Sequence, residues 1–268
     1  MRILLPVLVT TLMLTAACTQ QTGTGSAEIE EFSDLYKNGT MIAVCDPTHC
    51  PAGRYAEMVV SNLELAEPEQ GRMLRANIAT NDPNVRAVLD KVITGEVDAG
   101  FVYLTDAIHE NSSVQIIEIP REYTPLPQYG ASITSYSENP DSARLFIRFL
   151  TSKEGQALLQ KYGFTPGIQL PEPFQNTNKT DETLTVFAAS SLTESFTDIA
   201  VEFENKTGIK VTIGYASSGI LRQKIEAGAP ADVYATASLR HSEILMEQNL
   251  IEEESVFARN HLVVVSQR

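Results

Sequence analysis

The chain has 268 residues, of which 43% are hydrophobic and 20% are charged, and it contains no Trp. This composition is typical of a soluble globular protein, and the length is sufficient for one large core or two lobes of ordinary size. With 20 Lys and Arg against 34 Asp and Glu, the formal net charge is -14. That charge repels a nucleic-acid backbone, so nucleic acid is not an expected partner. A small oxyanion is repelled as well, so any anion site has to depend on short, directed hydrogen bonds.

The first residues are typical of an export signal. Arg2 precedes an apolar run over residues 3–14, which is too short to span a membrane, and small residues follow before Cys18. The string LTAAC resembles a lipoprotein cleavage site and predicts Cys18 as the lipid-bearing first residue of the mature chain. A plain secretory signal cut nearby is the alternative. Both readings place the protein outside the cytoplasmic membrane, with polar residues 19–27 as a flexible tether.

Two further cysteines, Cys45 and Cys50, are separated by four residues that include the turn-forming Asp46-Pro47. Outside the cell a disulfide between them is permitted. Two buried free thiols are an equally good interpretation of the sequence. A zinc site is less favoured because no second cluster of Cys or His accompanies His49 and Cys50.

From residue 41 onward, short apolar runs alternate with amphipathic segments, which predicts an α/β architecture. Residues 166–183 contain three prolines and no sustained period, and they are predicted to be a linker. At up to ~3.3 Å per residue the linker could span about 60 Å, enough to join two ends of one compact domain. Strands are predicted at 41–45, 98–104, 128–136, 184–189, 209–216 and 261–268, and helices at 53–65, 84–93, 141–163 with a break near Ser152, 192–206 and 219–227.

Two stretches are recognisable, and they stand in an unexpected order. Residues 184–238, which begin LTVFAASSLTESF, resemble the opening of the molybdate-binding proteins that serve ABC importers. The segments DPTHCPAGRYA (46–56) and NVRAVLDKVITGEVDAGFVYLTDA (84–107) are similar to the second half of the same family. Nearly every element is present once and no internal repeat is visible, so we favour one circularly permuted protein over two incomplete pieces.

The resemblance implies a type II periplasmic-binding-protein fold, in which two α/β lobes are joined by two crossing strands and enclose the ligand. We expect the strands at 128–136 and 260–267 to lie side by side as these crossings. The implied division of the chain is signal and tether at 1–27, lobe 2 at 28–127, a crossing strand and lobe 1 helices at 128–165, the linker at 166–183, lobe 1 at 184–259 and a crossing strand at 260–268.

Four small or polar residues stand at presumed helix starts: Ser191, Ser218, Ala52 and Val85. A helix N-terminus offers unpaired N–H groups and the positive end of its dipole, so it can bind a tetrahedral oxyanion without a formal positive charge. The resemblance implies that these four residues are anion ligands and that Tyr103 adds its hydroxyl. Taken singly, such a Ser is more often a helix cap, and Tyr103 is more often part of a core.

Five charged residues stand near these positions. Asp106 and Asp232 could hold hinge hydrogen bonds, with surface acids as the alternative. Arg54, Arg86 and Arg222 follow the expected ligands by one to four residues and could tune the local field. Solvated helix residues are the favoured interpretation of the three arginines.

The implied function is capture of molybdate or tungstate outside the membrane and delivery of the anion to an ABC permease. No cofactor and no catalytic residue are expected, because neither Ser191 nor Ser218 lies in a G-x-S-x-G elbow and no phosphate loop is present. A sensor of oxyanions that docks no permease, or a binder of another tetrahedral oxyanion, is the alternative. A monomer is expected, with a dimer formed by exchange of halves as the other possibility.

Overall fold

The computed structural model describes residues 28–167, 172–175, 182–252 and 254–268. The predicted signal, the tether, Cys18 and part of the predicted linker lie outside these ranges. Within the ranges, no helix combines the length and the apolar character needed to cross a membrane.

The secondary structure alternates strands and helices, as the periodicity predicts. The strands are β1 Ile42–Cys45, β2 Ile78–Asp82, β3 Ala99–Tyr103, β4 Val114–Ile117, β5 Gln128–Ile133, β6 Thr165–Pro166, β7 Thr183–Ala189, β8 Lys210–Ala216, β9 Val233–Thr236, β10 Ser255–Arg259 and β11 Leu262–Gln267. The helices are α1 Pro51–Ala66, α2 Pro68–Ala76, α3 Val85–Ile93, α4 Leu104–His109, α5 Pro140–Thr151, α6 Lys153–Lys161, α7 Thr193–Thr207, α8 Ser218–Glu226 and α9 Leu239–Glu247, with 3₁₀ turns at Phe32–Tyr36 and Ser190–Leu192.

Local capping chemistry explains several of these boundaries. Pro51 and Pro140 open α1 and α5, where the missing N–H of proline costs no hydrogen bond. The predicted break near Ser152 is confirmed, because Ser152 ends α5 and its side chain accepts a hydrogen bond from the N–H of Gly155 at the start of α6. Gly208 ends α7 in the left-handed conformation, with a φ of 80°.

Two sheets divide the described chain into two lobes. The first sheet has five strands in the order β2-β1-β3-β11-β4, and the second has six in the order β6-β10-β5-β9-β7-β8. In the first sheet β1, β2 and β3 run parallel, and β11 runs antiparallel between β3 and β4. In the second sheet β7, β8 and β9 run parallel, and β5 runs antiparallel between β9 and β10. Five strands therefore have the same arrangement in both lobes, and β6 is an additional edge strand of the second sheet.

The crossing strands are β11 in the first sheet and β5 in the second, and their pairing differs from our expectation. Gln128 pairs with Arg259 of β10, and Leu262 pairs with Tyr103 of β3. The expectation that 128–136 and 260–267 lie side by side is therefore wrong, because β5 and β11 belong to different sheets. Each strand fills the space between two strands of its own sheet, where both of its backbone edges find partners. The two crossings meet at their ends, where the Asn260 N–H donates to the Pro127 carbonyl at 3.1 Å and the Asn260 side-chain amide donates to the Tyr129 hydroxyl oxygen at 3.2 Å.

The first and last described residues lie together at the first sheet. The hydroxyl of Ser266 donates a hydrogen bond to the Ile29 carbonyl over 2.9 Å, and the N–H of Arg268 donates to the Ser113 carbonyl. Residues 28 and 268 can therefore be joined by a short connection, which is relevant to the order of the halves.

Candidate functional site

The start of α1 is held by a disulfide. Cys45, at the end of β1, is bonded to Cys50, with 5.9 Å between the two Cα atoms. The N–H of Gly53 donates to the Cys45 sulfur, and a Cβ on Gly53 would lie 1.8 Å from the Cys45 carbonyl oxygen, so only glycine fits this approach. Ala52 is the second residue of α1, where the helix provides no acceptor for its N–H. Ala52 is buried.

The start of α8 packs directly against the loop before α1. The N–H of Gly219 donates to the His49 carbonyl at 2.7 Å, and a Cβ on Gly219 would lie 2.5 Å from the His49 Cα. Ser218, the first residue of α8, is fully buried and its oxygen accepts from the Ala237 N–H at 3.0 Å. Because that oxygen is the acceptor, the hydroxyl proton remains available to a ligand. The structure thus places the start of α8, which carries Ser218, against the loop that leads into α1 and Ala52 in the other lobe.

Ser191 lies in the 3₁₀ turn after β7 and ends a chain of hydrogen bonds. The amide of Asn260 donates to the Tyr129 hydroxyl oxygen at 3.2 Å, and Tyr129 Oη lies 2.9 Å from Ser191 Oγ. With Tyr129 as the donor to Ser191, the proton of Ser191 is free to bind a ligand. Hydrogen bonds arranged in series polarise one another, which strengthens the last donor.

Tyr103 ends β3 and is buried between two other tyrosines. Its ring centroid lies 6.4 Å from that of Tyr55 in α1 and 5.7 Å from that of Tyr129. Among the described residues its hydroxyl has no hydrogen-bond partner. Burial raises the pKa of Tyr103 well above its ordinary value, so the phenol stays protonated and can act only as a neutral donor or acceptor. A buried hydroxyl without a partner is costly, and such an atom is a candidate contact for a ligand.

Val85 is the first residue of α3. The side chain of Asn84 caps this helix by accepting from the N–H groups of Arg86 and Ala87, at 3.0 and 3.1 Å. The N–H of Val85 stands one position ahead of these two donors and has no acceptor within the helix. Val85 is buried, as the other predicted ligands are.

Arg86 connects the start of α3 to the other lobe. Its guanidinium forms an ion pair with Glu194 at the start of α7, and its Nε lies 3.0 Å from Asp106 Oδ1. Burial raises the pKa of Asp106 to about 6, and the nearby Arg86 opposes that rise. The favoured sequence interpretation, a solvated Arg86, is therefore wrong: Arg86 is a partly buried link between lobes.

All five predicted ligand positions are buried. Tyr103 connects two of the other positions indirectly. Its ring contacts Tyr55, which lies on the same helix as Ala52, and it also contacts Tyr129, the hydrogen-bond partner of Ser191. Sequence reasoning missed Tyr129 and Asn260. Tyr129 and Asn260 are polar residues at the ends of apolar strands, which was the available signal. That signal does not show that the two side chains meet each other or that Tyr129 meets Ser191.

The acids near the site are not surface acids. Asp106 has the ion pair described above. Asp232 accepts from the Thr185 N–H and from the Ser137 hydroxyl, both at 2.8 Å, and so ties β7 to the end of the β5 segment. These bonds make Asp232 part of the framework of the second lobe and not a contact of the ligand positions.

Comparison with known proteins places this geometry in a family. A family model described as bacterial extracellular solute-binding protein matches residues 10–165 and 184–268. The molybdate-binding protein ModA of Mycobacterium bovis is 28% identical over 137 residues, which is 51% of this chain and 49% of ModA. ModA of Escherichia coli is 39% identical over 85 residues, 31% of this chain and 33% of ModA.

A solved structure shows the same fold. The phosphate-binding protein of a phosphate ABC transporter from Streptococcus pneumoniae superposes with a TM-score of 0.51 at 12% identity, covering 86% of this chain and 90% of that chain. The chain spans about half the length or less of these two curated relatives. The family match covers most of its residues: the chain belongs to the bacterial extracellular solute-binding proteins.

Proposed function

We propose that the protein captures molybdate or tungstate between its two lobes and delivers the anion to an ABC permease. The observation that carries the proposal is the buried hydroxyl of Tyr103, which has no hydrogen-bond partner among the described residues and lies between Tyr55 of α1 and Tyr129, the partner of Ser191. The ModA relatives, which are named as molybdate-binding proteins, support the choice of anion.

The proposed donors are neutral. Ser191 and Ser218 supply hydroxyls, Tyr103 supplies a phenol, and Ala52 and Val85 supply N–H groups at helix starts. Hydrogen bonds to an ionised acceptor are shorter and stronger than those between neutral groups, and the helix dipoles add to them. Donors held at fixed positions in a closed site select an anion by size, so smaller sulfate would leave some of them unpaired.

A calorimetric titration tests the proposal directly. Molybdate and tungstate should each bind the chain from residue 19 onward with a dissociation constant of about 1 μM or tighter, roughly −8 kcal/mol. Sulfate and phosphate should bind this site far more weakly. If neither metal oxyanion released heat or raised the melting temperature, the proposal would be wrong.

We further propose that the chain carries the halves of a molybdate-binding protein in swapped order. Because five strands have the same arrangement in both lobes, an exchange of halves gives the same order of these strands along the chain. The support for the swap is therefore in the sequence motifs, in the partial coverage of the ModA relatives and in the proximity of Ile29 to Ser266.

A rearranged chain tests the order of halves. The chain is opened between residues 175 and 176, and residue 268 is joined to residue 28 by a short Gly-Ser linker. The rearranged protein should fold and bind molybdate with the affinity of the parent, because every described hydrogen bond is retained. Failure to fold, beside a parent that binds, would argue against an interchangeable order.

Attachment through a lipidated Cys18 and a monomeric state complete the proposal. Mass spectrometry of the protein purified from membranes detects the lipid, and light scattering of the chain from residue 19 onward separates a monomer from a dimer with exchanged halves. Molybdate should bind at one anion per chain in either assembly.

A further inference from the structure

A basic pocket lies at the junction of the lobes, outside the ligand positions described above. Its volume is about 370 Å³, and α1 forms one wall while α8 and α9 form the other. Two of its arginines lie on helices whose first turns carry proposed ligands: Arg54 follows Ala52 on α1, and Arg222 follows Ser218 on α8. The pocket is lined by Pro47, Thr48, Arg54, Glu57, Met58, Arg222, Arg240, His241 and Ile244.

The positive charge in this pocket is only partly neutralised. Arg222 pairs with Glu226 on its own helix, and the carboxylate of Glu57 is bound by Arg75 at 2.8 Å. Within the described ranges neither Arg54 nor Arg240 forms an ion pair. Burial lowers the pKa of Arg54 from its ordinary value, and the proximity of Arg240 lowers it further. Two like charges thus face each other across the junction in a chain whose formal charge is -14.

His241 is an independent sign of a missing partner. It lines the pocket, yet its residue surface is only 3% exposed. Neither of its ring nitrogens has a hydrogen-bond partner in the part of the chain that the structure describes. Burial lowers the pKa of His241 to about 4, and Arg222, Arg54 and Arg240 contribute to the same effect, so the ring is neutral at pH 7. A neutral imidazole has one N–H to donate, and leaving it buried and unpaired costs free energy.

We propose that this pocket is a second anion-binding site, for a small polyvalent anion such as an inorganic oxyanion or a di- or tricarboxylate. The guanidinium groups of Arg54 and Arg240 would bind the anion from opposite lobes, and the N–H of His241 would donate to it from the buried end. Guanidinium groups recognise carboxylate and oxyanion oxygens through paired N–H donors. The site therefore selects by charge, in contrast to the neutral donors proposed for molybdate.

An anion in this pocket has a consequence for the lobes. Because Arg54 lies on the first lobe and Arg240 on the second, their repulsion opposes the closed arrangement, and a bound anion removes that repulsion. The anion consequently stabilises the closed arrangement of the lobes. Any ligand that also prefers the closed arrangement should bind more tightly in its presence, and the coupling should be reciprocal.

Thermal unfolding and calorimetry at constant ionic strength test the site. Sodium sulfate, phosphate and citrate are each compared with sodium chloride, using the chain from residue 19 onward without molybdate. At least one of the three should raise the melting temperature above the chloride value and bind in the millimolar range or tighter. Comparison of sulfate and phosphate with citrate distinguishes an inorganic oxyanion from a carboxylate as the preferred occupant.

Variants assign the effect to the pocket. Arg54→Gln and Arg240→Gln should each weaken binding of the effective anion about tenfold or more. Arg144→Gln is the matched control, because Arg144 is an exposed arginine paired with Glu252 away from the pocket, and it should bind like the parent. Tyr103→Phe should also retain this binding, which separates the pocket from the molybdate site. Equal melting temperatures in all four salts, or unchanged binding by Arg54→Gln and Arg240→Gln, would overturn the proposal.

Discussion

Arg86 of α3 and Glu194 of α7 form an ion pair that joins the two lobes beside the candidate site. Both side chains are mostly buried, with 22% and 23% of their surfaces exposed. The guanidinium also lies 3.0 Å from the buried carboxylate of Asp106, so one cation serves acids from both lobes. This pair is positioned to hold the lobes in the arrangement that encloses the five proposed ligands.

Glu194→Gln should weaken molybdate binding. The substitution removes a charge that favours closure and leaves Arg86 with Asp106 alone, at an expected cost of about 1 kcal/mol, roughly fivefold in the dissociation constant. Calorimetry measures the change. Glu252→Gln is the control, because it breaks the pair with Arg144 in a single lobe. Equal losses in both variants would show that the Arg86–Glu194 pair has no special role in closure.

Tyr103→Phe should separate ligand binding from stability. The unliganded variant should be at least as stable as the parent, because the lost hydroxyl has no hydrogen-bond partner among the described residues. Affinity for molybdate should fall by about 1.5–3 kcal/mol, roughly tenfold or more. Tyr123→Phe is the control, since its hydroxyl donates to Glu67 away from the site. Unchanged affinity in Tyr103→Phe would mean that Tyr103 belongs to the core only.

Removal of the disulfide should destabilise the protein and disturb the start of α1. The double variant Cys45→Ser, Cys50→Ser should lose roughly 2 kcal/mol, because a short closed loop restricts the unfolded chain only modestly. Reductant should lower the melting temperature of the parent and leave that of the variant unchanged. A parent insensitive to reductant under unfolding conditions would contradict a disulfide in the purified protein.

The stability of the protein should depend on the ionisation of Glu254. Burial raises the pKa of Glu254 from 4.5 to about 7, while a hydrogen bond from Ser242 opposes the rise. The folded state therefore keeps a proton that the unfolded state has lost, so this group makes the free energy of unfolding fall as the pH rises from about 4.5 to about 7.

Glu254→Gln should reduce that fall, which urea unfolding at pH 5 and pH 8 measures. The exposed Glu247→Gln is the control. The Glu254 carboxyl group packs closely against Gly130, since a Cβ on Gly130 would lie 2.0 Å from the carboxylate oxygen. Parallel pH profiles for the parent and Glu254→Gln would show that burial does not perturb this carboxyl group.

Helix boundaries that depend on residues adjacent in the sequence were predictable from the sequence. Pro51 at the start of α1 and the break at Ser152 follow from local capping rules, and the structure has both. The helix predicted from residue 84 begins at Val85, with Asn84 as its cap. The short strands β2, β4, β6, β9 and β10 and the helices α2, α4 and α9 were not predicted. Most of these elements are short, so their sequences contain little periodicity, and their stability comes from packing within each lobe.

The sequence alone determined the alternation of strands and helices and the helix starts that carry Ala52, Val85 and Ser218, because caps and periodicity act over a few residues. Only the tertiary structure decided which strands pair and which polar atoms meet. Tyr129 reaches Ser191 across 62 positions and Asn260 across 131, and no local pattern records such contacts. The incorrect pairing of the crossing strands has the same origin, because a strand's partners are selected by the edges that the rest of the sheet leaves open.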